Sequence, residues 1–378
     1  MEFSTKCVHG WDDFNEPTGS VSVPIFQTAT FAHEGVGRST GYDYSRLQNP
    51  TREYVEHTVA SLENGVEALA FSTGMAALSA FMEIFSPGDH IIGSLDLYGG
   101  SHRLFRTISE KNGIQFSFLD TGDLEAVRSK ITPKTKAFFI ETPTNPTMMV
   151  TDIAAIVQIA HEIGAIVIVD NTFLTPVFQR PLDLGADVVL HSGTKYLSGH
   201  NDTLAGFLVF REPELAEKMR FIEKTVGSCL APMDSWLTIR GIKTLALRMK
   251  QASKSADTLA KWLKNLPGVE EVYYVGLPEH PGYAISQKQS TGNGAMISFR
   301  VKSPQMAYKI LENVQLIRFA ESLGGVETLI TYPFTQTHAD VPESQRKALG
   351  IDESLLRLSV GIEDCTDLMT DLGRAIEA

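Results

Sequence analysis

The stretch HSGTKYLSGH (191–200) follows an apolar run and sets Ser192, Thr194 and Lys195 in a glycine-containing loop. Two hydroxyls so placed can bind phosphate. A lysine where a buried strand ends can have its pKa lowered enough to form a Schiff base. The competing reading is an ordinary surface lysine. Upstream, Asp170 closes the run AIVIVD (165–170). A carboxylate beside low-dielectric surroundings needs a partner, and the N–H of a protonated aromatic ring would serve, as would a helix cap. A third stretch, STGMAA (72–77), ends an apolar run and opens a helical pattern. There Gly74 lets the backbone approach a ligand and the helix N-terminus offers N–H groups to an anion, although alone it reads as a plain strand–helix turn. Together the three stretches offer partners for a ring nitrogen, an aldehyde carbon and a phosphate, the three handles of pyridoxal 5'-phosphate (PLP).

The elements that must position these residues are short. EALAFS (67–72), HIIGS (90–94), IQFSFL (114–119), KAFFIE (136–141), AIVIVD (165–170), DVVLHS (187–192) and AGFLVF (205–210) are apolar runs of strand length, mostly without alternation. That is the pattern of strands buried on both faces. Helical stretches lie between them. TDIAAIVQIAHEIG (151–164) has Thr151 or Asp152 as its N-cap and Gly164 at its end. Strand–helix alternation predicts an α/β fold with a mostly parallel central sheet covered on both faces. In such sheets ligands bind beyond the carboxyl ends of the strands, where the three stretches fall.

From Pro232 a long helical pattern runs to about residue 266, with Gly241 as a possible interruption. Beyond it, VEEVYYV (269–275), GAMISFRV (294–301) and LLRLSVG (355–361) read as strands, and 306–314 and 365–378 as helices. This predicts a smaller C-terminal α/β domain over 241–378, after a large domain over 46–240. Residues 1–45 read as an irregular arm packing on a neighbouring subunit. The length of 378 residues exceeds what one core supports.

A formal net charge of −12 disfavours nucleic acid and anionic membrane as partners. Cys7, Cys229 and Cys365 form no CxxC pair and no metal-ligand spacing, so reduced thiols, no metal and a cytoplasmic setting are expected. The N-terminus has no signal-peptide pattern, and no apolar run reaches membrane-spanning length.

Eight ordered blocks cover nearly the whole chain: YDYSRLQNPT (42–51), STGMAA (72–77), DLYGG (96–100), ETPTNPT (141–147), VDNTF (169–173), HSGTKYLSGH (191–200), SLGGVETLITYP (322–333) and LRLSVGIE (356–363). They resemble the PLP-dependent trans-sulfuration enzymes of Cys/Met metabolism. The resemblance implies PLP fold type I, similar to aspartate aminotransferase. It implies that Lys195 carries PLP and shuttles protons, that Tyr98 stacks on its ring, and that Asp170 pairs with the ring nitrogen. It places Asn145 near the ring oxygen, and Ser72, Gly74, Met75, Ser192 and Thr194 at the phosphate. It further implies that Tyr44 and Arg46 reach a neighbour's phosphate within a homotetramer, a dimer of active-site-sharing dimers. Arg357 would clamp the substrate α-carboxylate. The stretch from Ser322 to Glu327 would line the substrate side, Tyr44 would also contact substrate, and Asp43, Arg103 and Glu327 would face its distal part.

For the reaction, the blocks look most similar to those of enzymes that replace the γ-substituent of an O-acylhomoserine with cysteine. Lyases acting on sulfur amino acids remain open. Gly100 stands where the methionine-cleaving members resemble one another in having cysteine. Leu47 stands where many members have a second arginine, which favours an acetyl over a succinyl leaving group. A fold-type-I aminotransferase would share Asp170 and Lys195 but not the DYSR and SLGGVE blocks. A non-catalytic protein on this fold would not need Lys195, Asp170 and Tyr98 together.

Overall fold

A computed structural model describes residues 1–11, 14, 17–339, 341–342, 346–347 and 349–377. All seven apolar runs are strands of one sheet: β1 (Glu67–Phe71), β2 (His90–Ser94), β3 (Gln115–Leu119), β4 (Thr135–Glu141), β5 (Ile166–Asp170), β6 (Val188–Ser192) and β7 (Gly206–Phe210). Their order is β1-β7-β6-β5-β4-β2-β3. Strands β3, β2, β4, β5 and β6 pair in parallel, while β7 is antiparallel to β6 and β1. Two antiparallel pairings in succession leave β1 pointing the same way as β6. The carboxyl ends of β1, β2, β4, β5 and β6 therefore share one edge, and every loop that carries a predicted functional residue from the large sheet leaves from it.

Helices cover both faces: α1 (Phe3–His9), α2 (Pro50–Glu63), α3 (Gly74–Met82), α4 (Gly99–Leu104), α5 (Leu124–Ser129), α6 (Ile153–Glu162), α7 (Thr175–Phe178) and α8 (Pro213–Val226). Of the two cap candidates for α6, Asp152 serves, accepting from the Ala155 N–H at 3.1 Å. The expectation of irregular backbone through residue 45 fails at α1. There Phe3 and Cys7 turn toward the core and Lys6 donates from Nζ to the Ser61 carbonyl, so one short helical face docks on α2.

The long helical pattern is two helices, α9 (Pro232–Ile242) and α10 (Leu245–Leu263). Gly241 sits at the junction because a β carbon there would lie 2.0 Å from the Ser198 carbonyl oxygen. Buried Arg248 fastens the same junction. Its guanidinium donates to the carbonyls of Gly241 (2.8 Å), Tyr196 (2.7 Å) and Leu197 (3.3 Å), tying the turn after Lys195 to α10.

The remaining elements are β8 (Val269–Tyr273), α11 (Tyr283–Gln289), β9 (Met296–Val301), α12 (Pro304–Asn313), β10 (Arg318–Phe319), β11 (Leu329–Thr331), β12 (Leu355–Ser359) and α13 (Cys365–Glu377). Their sheet has the order β10-β11-β12-β9-β8, antiparallel except between β10 and β11. It carries Arg357 on β12 and Ser322 on the segment before β11. Among the described residues, no helix is long and apolar enough to cross a membrane.

Candidate active site

A cavity of about 210 Å³ opens at the carboxyl edge of the large sheet, between it and the segments carrying Ser322 and Arg357. One wall is the start of α3. Thr73 caps the helix by accepting from the Ala76 N–H at 2.9 Å, and Gly74 and Met75 line the cavity. The first N–H groups of a helix lack intrahelical partners, so this end suits an anion. The turn is closed tightly on β6: a β carbon at Gly74 would lie 3.1 Å from Ser192 Cα and Cβ. Ser192 and Thr194 face the same space. This cradle of helix end, close-packed glycine and two hydroxyls matches a phosphate.

Two carboxylates end adjacent strands and are register partners, Glu141 on β4 and Asp170 on β5. Burial pushes Asp170 above the usual carboxylate range. Two bonds from Thr172, N–H at 3.0 Å and hydroxyl at 2.5 Å, and the nearby His191 offset this only in part. Glu141 is pushed well up by burial and then by Asp170 itself, even though it accepts from the N–H groups of Tyr98 (2.9 Å) and Asn145 (3.0 Å). A cationic ring N–H would relieve both groups. Glu141 thereby fixes the loop carrying Tyr98 relative to the loop carrying Asn145. The Tyr98 ring lies against Gly100, where a β carbon would approach its Cε1 to 2.5 Å.

Opposite, Lys195 donates from Nζ to Ser322 Oγ at 2.9 Å. Burial and then the Arg357 charge lower its pKa to about 8. Ser322 has φ 141°, a region costly for a residue with a side chain. That backbone turns its hydroxyl to Lys195 and its carbonyl to Arg357. Arg357 is buried and bonds to no carboxylate among the described residues. Nη1 donates to Asn145 Oδ1 (2.7 Å), and Nη2 to the Ser322 carbonyl (3.0 Å) and Thr331 Oγ1 (3.2 Å). Its Nε has no partner, and burial lowers its pKa to about 10. A buried guanidinium with an unspent donor fits a carboxylate ligand.

Of the residues expected from sequence, Gly74, Met75, Tyr98, Asn145, Asp170, Ser192, Thr194, Lys195, Ser322 and Arg357 line this one cavity. Ser72 and Glu327 line an adjoining outer compartment of about 980 Å³, where Glu327 accepts from Asn201 Nδ2 at 2.8 Å. Arg103 is exposed on α4, close enough to Tyr98 for its charge to be felt there. Asp43, Tyr44 and Arg46 line neither space. Asp43 accepts from Ser39 Oγ (2.9 Å) and pairs with His33 Nε2 (2.8 Å). Arg46 donates to the Lys224 carbonyl (2.6 Å), with its guanidinium 5.5 Å from the Tyr44 ring centre. Sequence reading passed over Glu141, Thr172 and Glu321, which also line the cavity. The rule that singled out Asp170, a carboxylate closing an apolar strand, applies equally to Glu141.

The family model described as Cys/Met metabolism PLP-dependent enzyme matches residues 4–377. The chain is 49% identical over 372 residues to the cystathionine gamma-synthase/O-acetylhomoserine (thiol)-lyase of Bacillus subtilis, covering 98% of this chain and 95% of that one. It is 47% identical over 377 residues to the cystathionine gamma-lyase of the same organism, covering 100% of both. Among solved structures, the cystathionine gamma-lyase of Lactobacillus plantarum complexed with L-serine superposes with a TM-score of 0.97 at 44% identity, covering 100% of this chain and 99% of that one.

Proposed function

The chain belongs to the Cys/Met metabolism PLP-dependent enzymes, and from that premise we propose that it forms cystathionine by γ-replacement of O-acetylhomoserine with cysteine. The observation that carries this reading is the outer compartment. It shares Thr73, Thr194, Leu204, Glu321 and Ser322 with the inner cavity, which leaves room for a second amino acid beside the one bound at Arg357. Its lining has Asp202, Asp234, Glu321 and Glu327 against Arg318 alone. Four carboxylates against one guanidinium disfavour the terminal carboxylate of a succinyl ester and favour an acetyl group.

Bound PLP supplies an electron sink that stabilises negative charge on the substrate carbon next to the amine. Asp170 would hold the ring nitrogen, Tyr98 the ring face, and Gly74, Met75, Ser192 and Thr194 the phosphate. Arg357 takes the α-carboxylate with its unspent Nε, aided by Asn145, and so fixes which substrate bond lies near Lys195. Lys195 would serve as the base, since burial and Arg357 lower its pKa to about 8 and leave it part neutral at neutral pH. Elimination at the γ carbon needs protons taken from both Cα and Cβ. One hydrogen bond to Ser322 is a tether that still lets Nζ move between adjacent carbons.

The inner cavity's cations are Lys195 and Arg357, both committed elsewhere. The phosphate charge therefore calls for a cation from outside. Arg46 of a second copy supplies it in this reading, with the Tyr44 hydroxyl beside it, within a homotetramer of active-site-sharing dimers.

The same compartment fits an intact cystathionine. The second reading is thus a γ- or β-lyase, favoured by the whole-length similarity to the B. subtilis γ-lyase. A paired assay on one PLP-loaded preparation decides. Faster cystathionine formation from O-acetylhomoserine and cysteine supports the synthase. Faster cystathionine breakdown overturns it, with α-ketobutyrate marking a γ-lyase and pyruvate a β-lyase.

A further inference from the structure

Beneath the arm, α2, α8 and β1 enclose a cluster of charges that the reaction does not use. Arg52 is 1% exposed and Glu223 is 0% exposed. Arg52 Nε lies 3.6 Å from Glu56 Oε1 and 3.9 Å from Glu223 Oε1, without a hydrogen-bond partner. Arg220 reaches Glu67 at 2.6 Å and Glu56 at 3.3 Å. Burial and then Glu56 push Glu223 up to about 8. Burying such groups is costly unless their remaining donors are placed to advantage.

The short bonds of Arg52 go to backbone. Nη1 donates to the Ser45 carbonyl at 2.6 Å and Nη2 to the Leu47 carbonyl at 3.0 Å. Those two residues flank Arg46. The guanidinium fork thus grips the chain on both sides of the residue read above as reaching a neighbouring site. Glu56, which orients Arg52, accepts through Oε1 from the Ala70 N–H of β1 at 2.9 Å, two residues before Ser72. One buried cluster therefore ties the arm to the strand that leads into this chain's own phosphate cradle.

We propose that Arg52, oriented by Glu56, is a positioning residue that presents Arg46 to the phosphate site of a second copy of this chain. It acts in trans, on the neighbour's site and not on its own. This rests on the cross-subunit reading of Tyr44 and Arg46. A lysine keeps the charge, but one ammonium on a flexible stem cannot reproduce a planar fork spanning two carbonyls.

The test titrates PLP into the apoprotein and reads the visible absorbance of cofactor attached to Lys195. Arg52→Lys should weaken apparent affinity about tenfold, the effect of one lost charge-assisted hydrogen bond. Oligomer size by sedimentation and far-UV circular dichroism should stay unchanged. Hybrids purified through two different tags then assign the direction. In an Arg52→Lys chain paired with a Lys195→Ala chain, the only lysine-bearing site receives an intact arm, and wild-type affinity should return. A wild-type chain paired with an Arg52→Lys/Lys195→Ala chain should show the weakened affinity. Unchanged affinity in Arg52→Lys, or a defect that stays with the chain bearing the substitution, overturns the proposal. Arg46→Ala separates the two levels: if it leaves affinity unchanged, the cross-subunit reading itself fails. If Arg52→Lys does not fold, Glu56→Gln keeps the volume and the Ala70 contact, and the same trans pattern or its absence decides.

Discussion

Replacing Lys195 with methionine should stabilise the apoprotein while abolishing turnover. The native pKa of Lys195 is about 8 against an ordinary 10.5, chiefly because burial disfavours the ammonium. A shift of that size amounts to roughly 3 kcal/mol of unfavourable free energy in the charged form. The unfolded chain holds the proton more readily, so native stability rises with pH between about 8 and 10.5 as this burden lifts, and the burden is full below pH 8. Methionine has similar length and no charge. Its substitution removes the burden but also the bond to Ser322 Oγ, which is worth about 1 kcal/mol. The net gain at pH 7 is therefore about 2 kcal/mol, shrinking toward zero or a small loss by pH 10. Urea unfolding of both apoproteins at equal protein concentration, at pH 7 and pH 10, measures it, provided the denaturant slopes agree. An advantage of the same size at both pH values, or none at pH 7, would refute the reasoning, because a mere packing effect has no pH dependence in this window.

Arg357→Lys should raise KM for amino-acid substrates about a hundredfold while sparing PLP affinity, because the directed contact from the guanidinium Nε is replaced by a point charge on a flexible stem. An unchanged KM in steady-state kinetics would remove Arg357 from the substrate site. Gly100→Ala sets two effects against each other. Alanine favours α4 by about 1 kcal/mol, but its β carbon would press on Tyr98 Cε1 and on Met75 Sδ, 3.1 Å away. Apoprotein stability should hold while PLP affinity falls about tenfold, the scale of a disturbed aromatic contact. Equal affinity by cofactor titration would show that the ring does not depend on that clearance.

What the sequence displayed was whatever local pattern controls. Strands buried on both faces carry no competing signal, so their apolar runs gave β1 through β7 to within a residue or so. Asp170 and Lys195 were visible because a polar group at the end of such a run is out of place. Glu141 obeys the same rule, yet its place inside the ETPTNPT block drew attention to the block and not to the residue. Helix α1 has only Phe3 and Cys7 to face a core, too short a stripe to separate from coil, and it forms because α2 offers a docking surface. The role of Arg52 was invisible for another reason. Glu56 lies one helical turn from Arg52, but Glu223 becomes its neighbour only after α2 and α8 both pack against β1, and no spacing along the chain marks Ser45 and Leu47 as the carbonyls that the guanidinium grips.

Four charged groups of the cavity share one property. Lys195 and Arg357 are pushed down, Asp170 and Glu141 are pushed up, and in each case burial is the first cause. Every one of these groups is thus less comfortable in its charged form than it would be in water. In the proposed reading each would meet a complementary group on PLP or the substrate: an aldehyde for the amine, a ring N–H for the carboxylates, an α-carboxylate for the guanidinium. The strained backbone of Ser322 joins two of them, Lys195 and Arg357, through its hydroxyl and its carbonyl. The two sheets hold such a site in place together with the bonds of Glu141, Ser322 and Arg357. Ligand binding then relieves an existing electrostatic cost and need not reorganise the protein. This explains why the clamps lie outside the cavity, with Arg248 on the turn after Lys195 and Arg52 on the arm. Groups that destabilise one another must be fixed from behind.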